Sequence, residues 1–321
     1  MTTMRAIVMD ATGAPEVLHL ADVTAPTKVN AEFLVRVVAA GVNPIDAKTR
    51  AGRGVSSAIP SFPAVLGNDF SGIVLESPYE AHPFKVGDEV YGMVPVPRYS
   101  GSYAEVVAAP AMSLARKPVA LSHVEAAGVP LAALTAWGMV VEIAKAHEGQ
   151  RILVHAGAGG VGHFAVQFAH FFGAHVIATG SARNAGWLAD LGADQVIDYT
   201  TTRFDEVLSG IDVVIDLIGN VHDETGTRSL TAMRPGGLIV NAPTGSWPTF
   251  LEDAAAAGMR ASTYKVAPDG STLAVISRLL ESGDVRVFVD HIFDLADAAA
   301  AHTELEAGHT RGKIVLKVSD Y

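Results

Sequence analysis

Residues 153–164 read LVHAGAGGVGHF. An apolar, β-branched run leads into this segment, and a second apolar run, reading as a helix, leads away from it. Glycine costs roughly 1 kcal/mol relative to alanine inside a regular element. Four glycines between residues 157 and 162 therefore need a reason. Gly157, Gly159 and Gly162 fit G-x-G-x-x-G. The motif alone is weak, but a strand before it and a helix after it are the context that a dinucleotide reading requires. One glycine makes the tight turn, the second admits a pyrophosphate to the backbone, and the third lets helix and strand pack closely. N–H groups at the helix start then face a dianion. On this reading Gly157, Ala158, Gly159, Gly160, Val161 and Gly162 hold the cofactor. The plain alternative is a glycine-rich turn without a ligand.

The next strand, residues 175–180, ends in Gly180 and is followed by Ser181 and Arg183. An NAD-type unit places an Asp or Glu here for the ribose 2′-OH. A hydroxyl and a guanidinium instead suit a 2′-phosphate. Charge-assisted hydrogen bonds contribute about 1.5–3 kcal/mol each, so two favour NADP over NAD by roughly two to four orders of magnitude. Arg183 also fits a solvated charge at a helix start.

Around the loop, from about residue 126 to 266, short apolar strands alternate with helices. That pattern means βαβ units and a parallel sheet of six strands, an α/β fold of Rossmann type. The part up to residue 121 has a different texture, with strands at 5–9, 32–39, 73–76 and 88–93 among many prolines and glycines. After Pro268 come a helix to about Glu281, then DVRVFVDHIF (284–293), a helix over 294–308 and a last strand over 312–318. A chain of 321 residues has room for about two domains. We divide it into a β-rich domain at 1–121, a nucleotide domain at 122–266, and a segment at 267–321 that returns to the first domain.

Composition narrows the chemistry. The chain has no cysteine, which removes disulfides, thiolate nucleophiles and sulfur-bound zinc, and fits a reducing compartment. A formal charge of −11 without a long basic run argues against a nucleic-acid partner. The most apolar stretch, residues 126–144, is broken by Pro130, two glycines and Glu142. Its uninterrupted part is shorter than the ~18 residues of a membrane span. The N-terminus lacks the apolar core of a signal peptide, and a cytoplasmic protein without a membrane anchor is expected.

Further motifs extend the reading over nearly the whole chain: AAGVNPIDAKTRAG (39–52), LGNDFSGIV (66–74), VGDEVYG (86–92), GSYAEVV (101–107), VPLAALTAW (129–137), LGADQVIDY (191–199) and GKIVL (312–316). With these, the chain resembles the medium-chain dehydrogenase/reductase superfamily, and within it the zinc-independent quinone oxidoreductase branch. The resemblance implies a GroES-like fold for the β-rich catalytic domain, with the cofactor in the cleft between domains. Zinc-dependent relatives carry Gly-His-Glu where this chain has Gly67-Asn68-Asp69, and Asn68 is a poor zinc ligand. None of the twelve histidines shows metal spacing with a partner, and His163 and His170 read as packed or solvated. No metal is expected. The implied reaction is hydride transfer from NADPH to a quinone or an α,β-unsaturated carbonyl, an acceptor that needs little activation.

By the same resemblance, Asn43 lies beside the nicotinamide and Asp46 orders that loop, or N-caps the turn that follows. Thr135 bonds the cofactor, or its own helix carbonyl. Tyr199 packs near the 2′-phosphate, or is a core residue at a strand end. Lys313 approaches the nicotinamide end, or is solvated. The tyrosine that several relatives carry after the RAG segment is replaced here by GRGVSS, and Asn241 does not align clearly with an asparagine of some relatives. Both departures leave the acceptor open. A homodimer joined along residues 259–266 is the family habit. Two other functions stay in view: a non-catalytic NADPH-binding sensor or structural protein, and a zinc-type alcohol dehydrogenase.

Overall fold

The structure is a computed structural model, and it describes residues 3–95 and 101–320. The chain forms two compact units: Met1–Leu134 with Ala267–Tyr321, and Thr135–Val266. The first break therefore falls well past residue 121, where the change in sequence texture had placed it. Contacts explain the shift. The helix His123–Ala127 packs on the strands Glu32–Val42 and Asp69–Glu76, and the Leu131 backbone N–H donates to Asp69 Oδ1 at 2.8 Å. Composition changes at residue 126, but the packing does not.

The second unit is built on six parallel strands in the spatial order Gln195–Asp198, His175–Gly180, Arg151–Val154, Ile211–Asp216, Met233–Asn241, Arg260–Thr263. Numbered along the unit, this order is 3-2-1-4-5-6, the doubly wound dinucleotide fold. Leu153, Ile177, Val214 and Ile239 are fully or almost fully buried at its centre. Strands covered on both faces read as continuous apolar runs, which is why the sequence shows them plainly. The order reverses beside Arg151–Val154, so a ligand crevice is expected outside the carboxyl end of that strand.

The first unit carries a three-stranded sheet and a seven-stranded sheet. At the centre of the larger sheet, Glu32–Val42 pairs antiparallel with Asp69–Glu76, with Val106–Pro110 and with the returning strand Lys313–Lys317. Ile314 lies opposite Val42, and this register brings Lys313 to the end of the long strand. Gly41 permits the crowding there: a Cβ would lie 2.4 Å from Ala127 O and 2.9 Å from Asp69 Cβ. Several elements are absent from the sequence reading, among them His19–Thr24, Ala64–Val65, Leu114–Arg116 and the helix Pro44–Arg50. Within DVRVFVDHIF a strand forms from Val289 and runs to Asp294. Among the described residues no helix is long and apolar enough to cross a membrane.

Candidate active site

In the second unit the strand Arg151–Val154 runs into the glycine loop, and the helix Gly162–Phe171 runs out of it. The three motif glycines differ in what surrounds them. A Cβ on Gly162 would lie 2.1 Å from Ala156 O and 2.8 Å from Gly157 Cα, and one on Gly157 would lie 3.0 Å from Ala178 Cβ. A Cβ on Gly159 would meet only Ala156 O, at 3.3 Å. The outer glycines are thus required by the protein's own packing. The middle one keeps space clear beside the loop, as a pyrophosphate requires.

Thr179, on the neighbouring strand, pins the start of the loop. Its carbonyl accepts from Gly157 N at 2.9 Å and its hydroxyl from Ala156 N at 3.1 Å. His155 supports it: Nδ1 lies 3.3 Å from Thr179 Oγ1, and Nε2 lies 2.8 Å from Ser229 Oγ. Burial pushes this imidazole down to about 4, so it is neutral at pH 7. The sequence reading missed His155. Its signal was a polar residue at the end of an otherwise apolar strand.

Ser181 follows the second strand and accepts from Asn184 Nδ2 at 3.3 Å. Arg183 is exposed. Tyr199 is 59% exposed, with its N–H donating to Gly180 O at 3.2 Å, so it is not a core residue. Thr135 is buried in the helix Pro130–Trp137. Asn241 donates to Asp216 Oδ2 at 2.8 Å, while Ile218 N and Gly219 N donate to Asp216 Oδ1. This pair braces two strand ends. His163 is buried, with Nδ1 3.0 Å from Gly159 O, and His170 is exposed.

In the first unit the structure gathers Asn43, Asp46 and Lys313 into one buried network and adds Asp69, Tyr103 and His302. Lys313, only 3% exposed, is not the solvated lysine of the second reading. Its register against Val42 carries it inside, where Nζ donates to Val42 O at 3.0 Å and to Asn43 Oδ1. Asn43 Nδ2 donates to Asp69 Oδ2 at 2.9 Å, and Lys313 Nζ stands 3.8 Å from the same oxygen. Asp46 is not an N-cap. Asn43 takes that position ahead of the helix Pro44–Arg50, and Asp46 at N3 accepts from the Asn43 backbone N–H at 2.9 Å, half of a capping box. Pro44 at N1 suits a helix start, where its fixed φ fits and its missing N–H is not needed. Tyr103 donates to Asp46 Oδ2 at 3.2 Å and also lies 3.2 Å from His302 Nε2.

Burial dominates the electrostatics. It pushes Asp46 up to about 7 and Asp69 up to about 6, with Lys313 pulling both down. Desolvation lowers the Lys313 ammonium, and the two carboxyls oppose that. Burial first, and then Arg50, pushes His302 down to about 3. Two carboxyls share one ammonium, an arrangement that favours holding a proton on one of them near neutral pH.

Comparison with known proteins gives the same outline. Residues 29–119 match the alcohol dehydrogenase GroES-like domain, and residues 191–316 match a zinc-binding dehydrogenase model. The chain is 33% identical over 365 residues to the mitochondrial NAD(P)H oxidoreductase RTN4IP1 of Danio rerio, covering 99% of this chain and 92% of the relative. It is 35% identical over 323 residues to a chloroplastic NADPH-dependent alkenal/one oxidoreductase of Arabidopsis thaliana, covering 98% and 79%. The solved structure of a quinone oxidoreductase from Coxiella burnetii superimposes with a TM-score of 0.94 at 37% identity, covering 99% of this chain and all of that one.

Proposed function

The chain belongs to the medium-chain dehydrogenase/reductase superfamily, and from that premise we propose a zinc-independent, NADPH-dependent reductase of quinones or α,β-unsaturated carbonyls. The chain is an NADP(H)-dependent oxidoreductase.

The observation that carries it is the network around Asn43. The position of the zinc-binding histidine is Asn68, whose Nδ2 is committed to Val94 O at 3.1 Å. The adjacent Asp69 gives one oxygen to Leu131 N and the other to Asn43, with the Lys313 ammonium beside it. This donor set does not fit a divalent metal, which needs several lone-pair donors and no neighbouring cation. An electron-poor acceptor requires no Lewis acid. A bound nicotinamide supplies the hydride, and the protein's work is to hold coenzyme and acceptor in place and dry.

The cofactor side rests on Gly159, which leaves the loop open, and on Ser181 and Arg183 at the end of the second strand. Thr135, Tyr199 and Lys313 belong to the same proposal as coenzyme-side residues, and Asn43 as the residue beside the nicotinamide. A homodimer through the outer edge of Arg260–Thr263 and a cytoplasmic location complete it. The zebrafish relative is named as mitochondrial, so cell fractionation is the check on compartment and sedimentation the check on assembly.

The deciding experiment follows NADPH oxidation at 340 nm with a panel of quinones and enones, alongside metal analysis of the active protein. Turnover without stoichiometric metal is expected. Tight NADPH binding with no acceptor reduced would instead mark a sensor, and a transition metal essential for turnover would overturn the metal-free reading.

A further inference from the structure

Asp46 does more than brace the start of its helix. Its Oδ2 takes both hydrogen bonds that the carboxyl receives, from Asn43 N and from the Tyr103 hydroxyl. Its Oδ1 takes none. Asp46 is also a wall of a cavity of about 40 Å³ within the first unit. Thr49, on the same helix, is another wall. Its hydroxyl is buried and has no hydrogen-bond partner among the described residues. Leaving such a group unsatisfied is unfavourable. A buried water needs roughly 10–15 Å³ and two to four polar partners. The cavity has the room, and Asp46, Thr49, Ser61 and Asn68 line it.

We propose that Asp46 is the proton reservoir of the reductase reaction, connected to solvent through a water held between its Oδ1 and the Thr49 hydroxyl. The proposal rests on the reductase reading above. Hydride delivery from NADPH leaves NADP⁺ and an acceptor anion, an enolate or a hydroquinone monoanion, short of one proton. Asp46 gives up its Oδ1–H proton through the water, the anion becomes neutral product, and Asp46 is left as carboxylate. A solvent proton entering by the same water restores the acid. Each turnover consumes one NADPH and one proton.

The surroundings suit a group that holds and releases a proton near neutrality. Burial and the Asp69 carboxyl raise Asp46, while the Asn43 N–H, Lys313 and the Tyr103 hydroxyl lower it, with a balance at about 7. On the far side of Tyr103, His302 is held neutral by burial and Arg50, and Arg50 is paired with Glu306 at 2.7 Å. Neither competes for the proton.

The test uses two variants of the full chain. Asp46→Asn keeps an acceptor for Asn43 N and Tyr103 but has no proton to give. At pH 7 its kcat with a quinone is expected to fall at least tenfold while the Kd for NADPH stays within twofold. The wild-type fall in kcat above pH 7 disappears, and added imidazole buffer restores part of the rate. Thr49→Val removes the hydroxyl at constant shape and is expected to lower kcat severalfold with the same Kd. An Asp46→Asn protein with the wild-type rate and pH profile overturns the proposal, and an unaltered Thr49→Val rate overturns the water link. Infrared spectroscopy gives a readout that does not need turnover: a protonated-carboxyl band at pH 6 that is larger in wild type than in Asp46→Asn, where Asp69 alone still contributes to it. Absence of that difference also overturns the proposal. If the band is present but wild type reduces no acceptor, the reductase reading fails, and this proposal falls with it.

Discussion

The ammonium of Lys313 donates to the side-chain oxygen of Asn43, a residue 270 positions earlier in the chain. That single contact fixes the orientation of the amide, because its nitrogen must then face Asp69, where it donates at 2.9 Å. Lys313→Met is expected to destabilise the protein by about 3–5 kcal/mol, since it leaves the Asp69 carboxyl buried without its cation. The double variant Lys313→Met/Asp69→Asn should recover much of that loss, and urea unfolding of the single and double variants measures the coupling.

The glycine loop separates binding from folding. Gly159→Val places its side chain where only Ala156 O is near, so the melting temperature should stay within a few degrees of wild type while NADPH binding is lost. Gly162→Ala meets Ala156 O at 2.1 Å and should cost about 1–3 kcal/mol of stability as an overpacking change. Thermal melts and NADPH fluorescence titrations on the two variants distinguish the roles.

Removal of Arg183 tests the choice of coenzyme. Loss of one charge-assisted hydrogen bond, about 1.5–3 kcal/mol, corresponds to roughly 10- to 100-fold in affinity. Arg183→Ala should weaken NADPH by that factor and leave NADH nearly unchanged. Equal weakening of both coenzymes would mean that the guanidinium does not read the phosphate.

Stability should depend on pH through the buried carboxyls. Asp46 and Asp69 are held at about 7 and about 6 in the fold, against about 3.9 in an unfolded chain. Folding therefore favours their neutral forms. Their contribution is fully present below pH 4 and is lost as pH rises toward 7, at up to about 1.4 kcal/mol per pH unit for each group. Asp46→Asn should gain on wild type across that window. Chemical denaturation at pH 5, 6, 7 and 8 shows it as a widening difference in midpoint.

The glycine loop and the Asn43 network were not equally legible. The glycine loop and the six parallel strands depend on local patterns: a strand buried on both faces, a turn, a helix. Such patterns survive in the one-dimensional chain. The Asn43 network depends on long-range pairings instead. Nothing about Lys313 in GKIVL shows that it is buried, because its burial comes from register against Val42. Tyr103 and His302, 199 positions apart, carry no shared motif. The helix Pro44–Arg50 was hidden because Pro44 reads as turn punctuation, whereas here it opens a helix. Ala64–Val65 is too short to show a period.

The strand Lys313–Lys317 sits beside Glu32–Val42, with the whole nucleotide unit inserted between them in the chain. A ribosome therefore delivers the two partners of the central sheet far apart in time. Thr135–Val266 is contiguous and can collapse as soon as it emerges, but the network around Asn43 stays unfinished until Lys313 has left the exit tunnel. Until then Asp69 waits without its counter-ion, and a nascent chain arrested before that residue would display an open sheet edge that other chains can pair with.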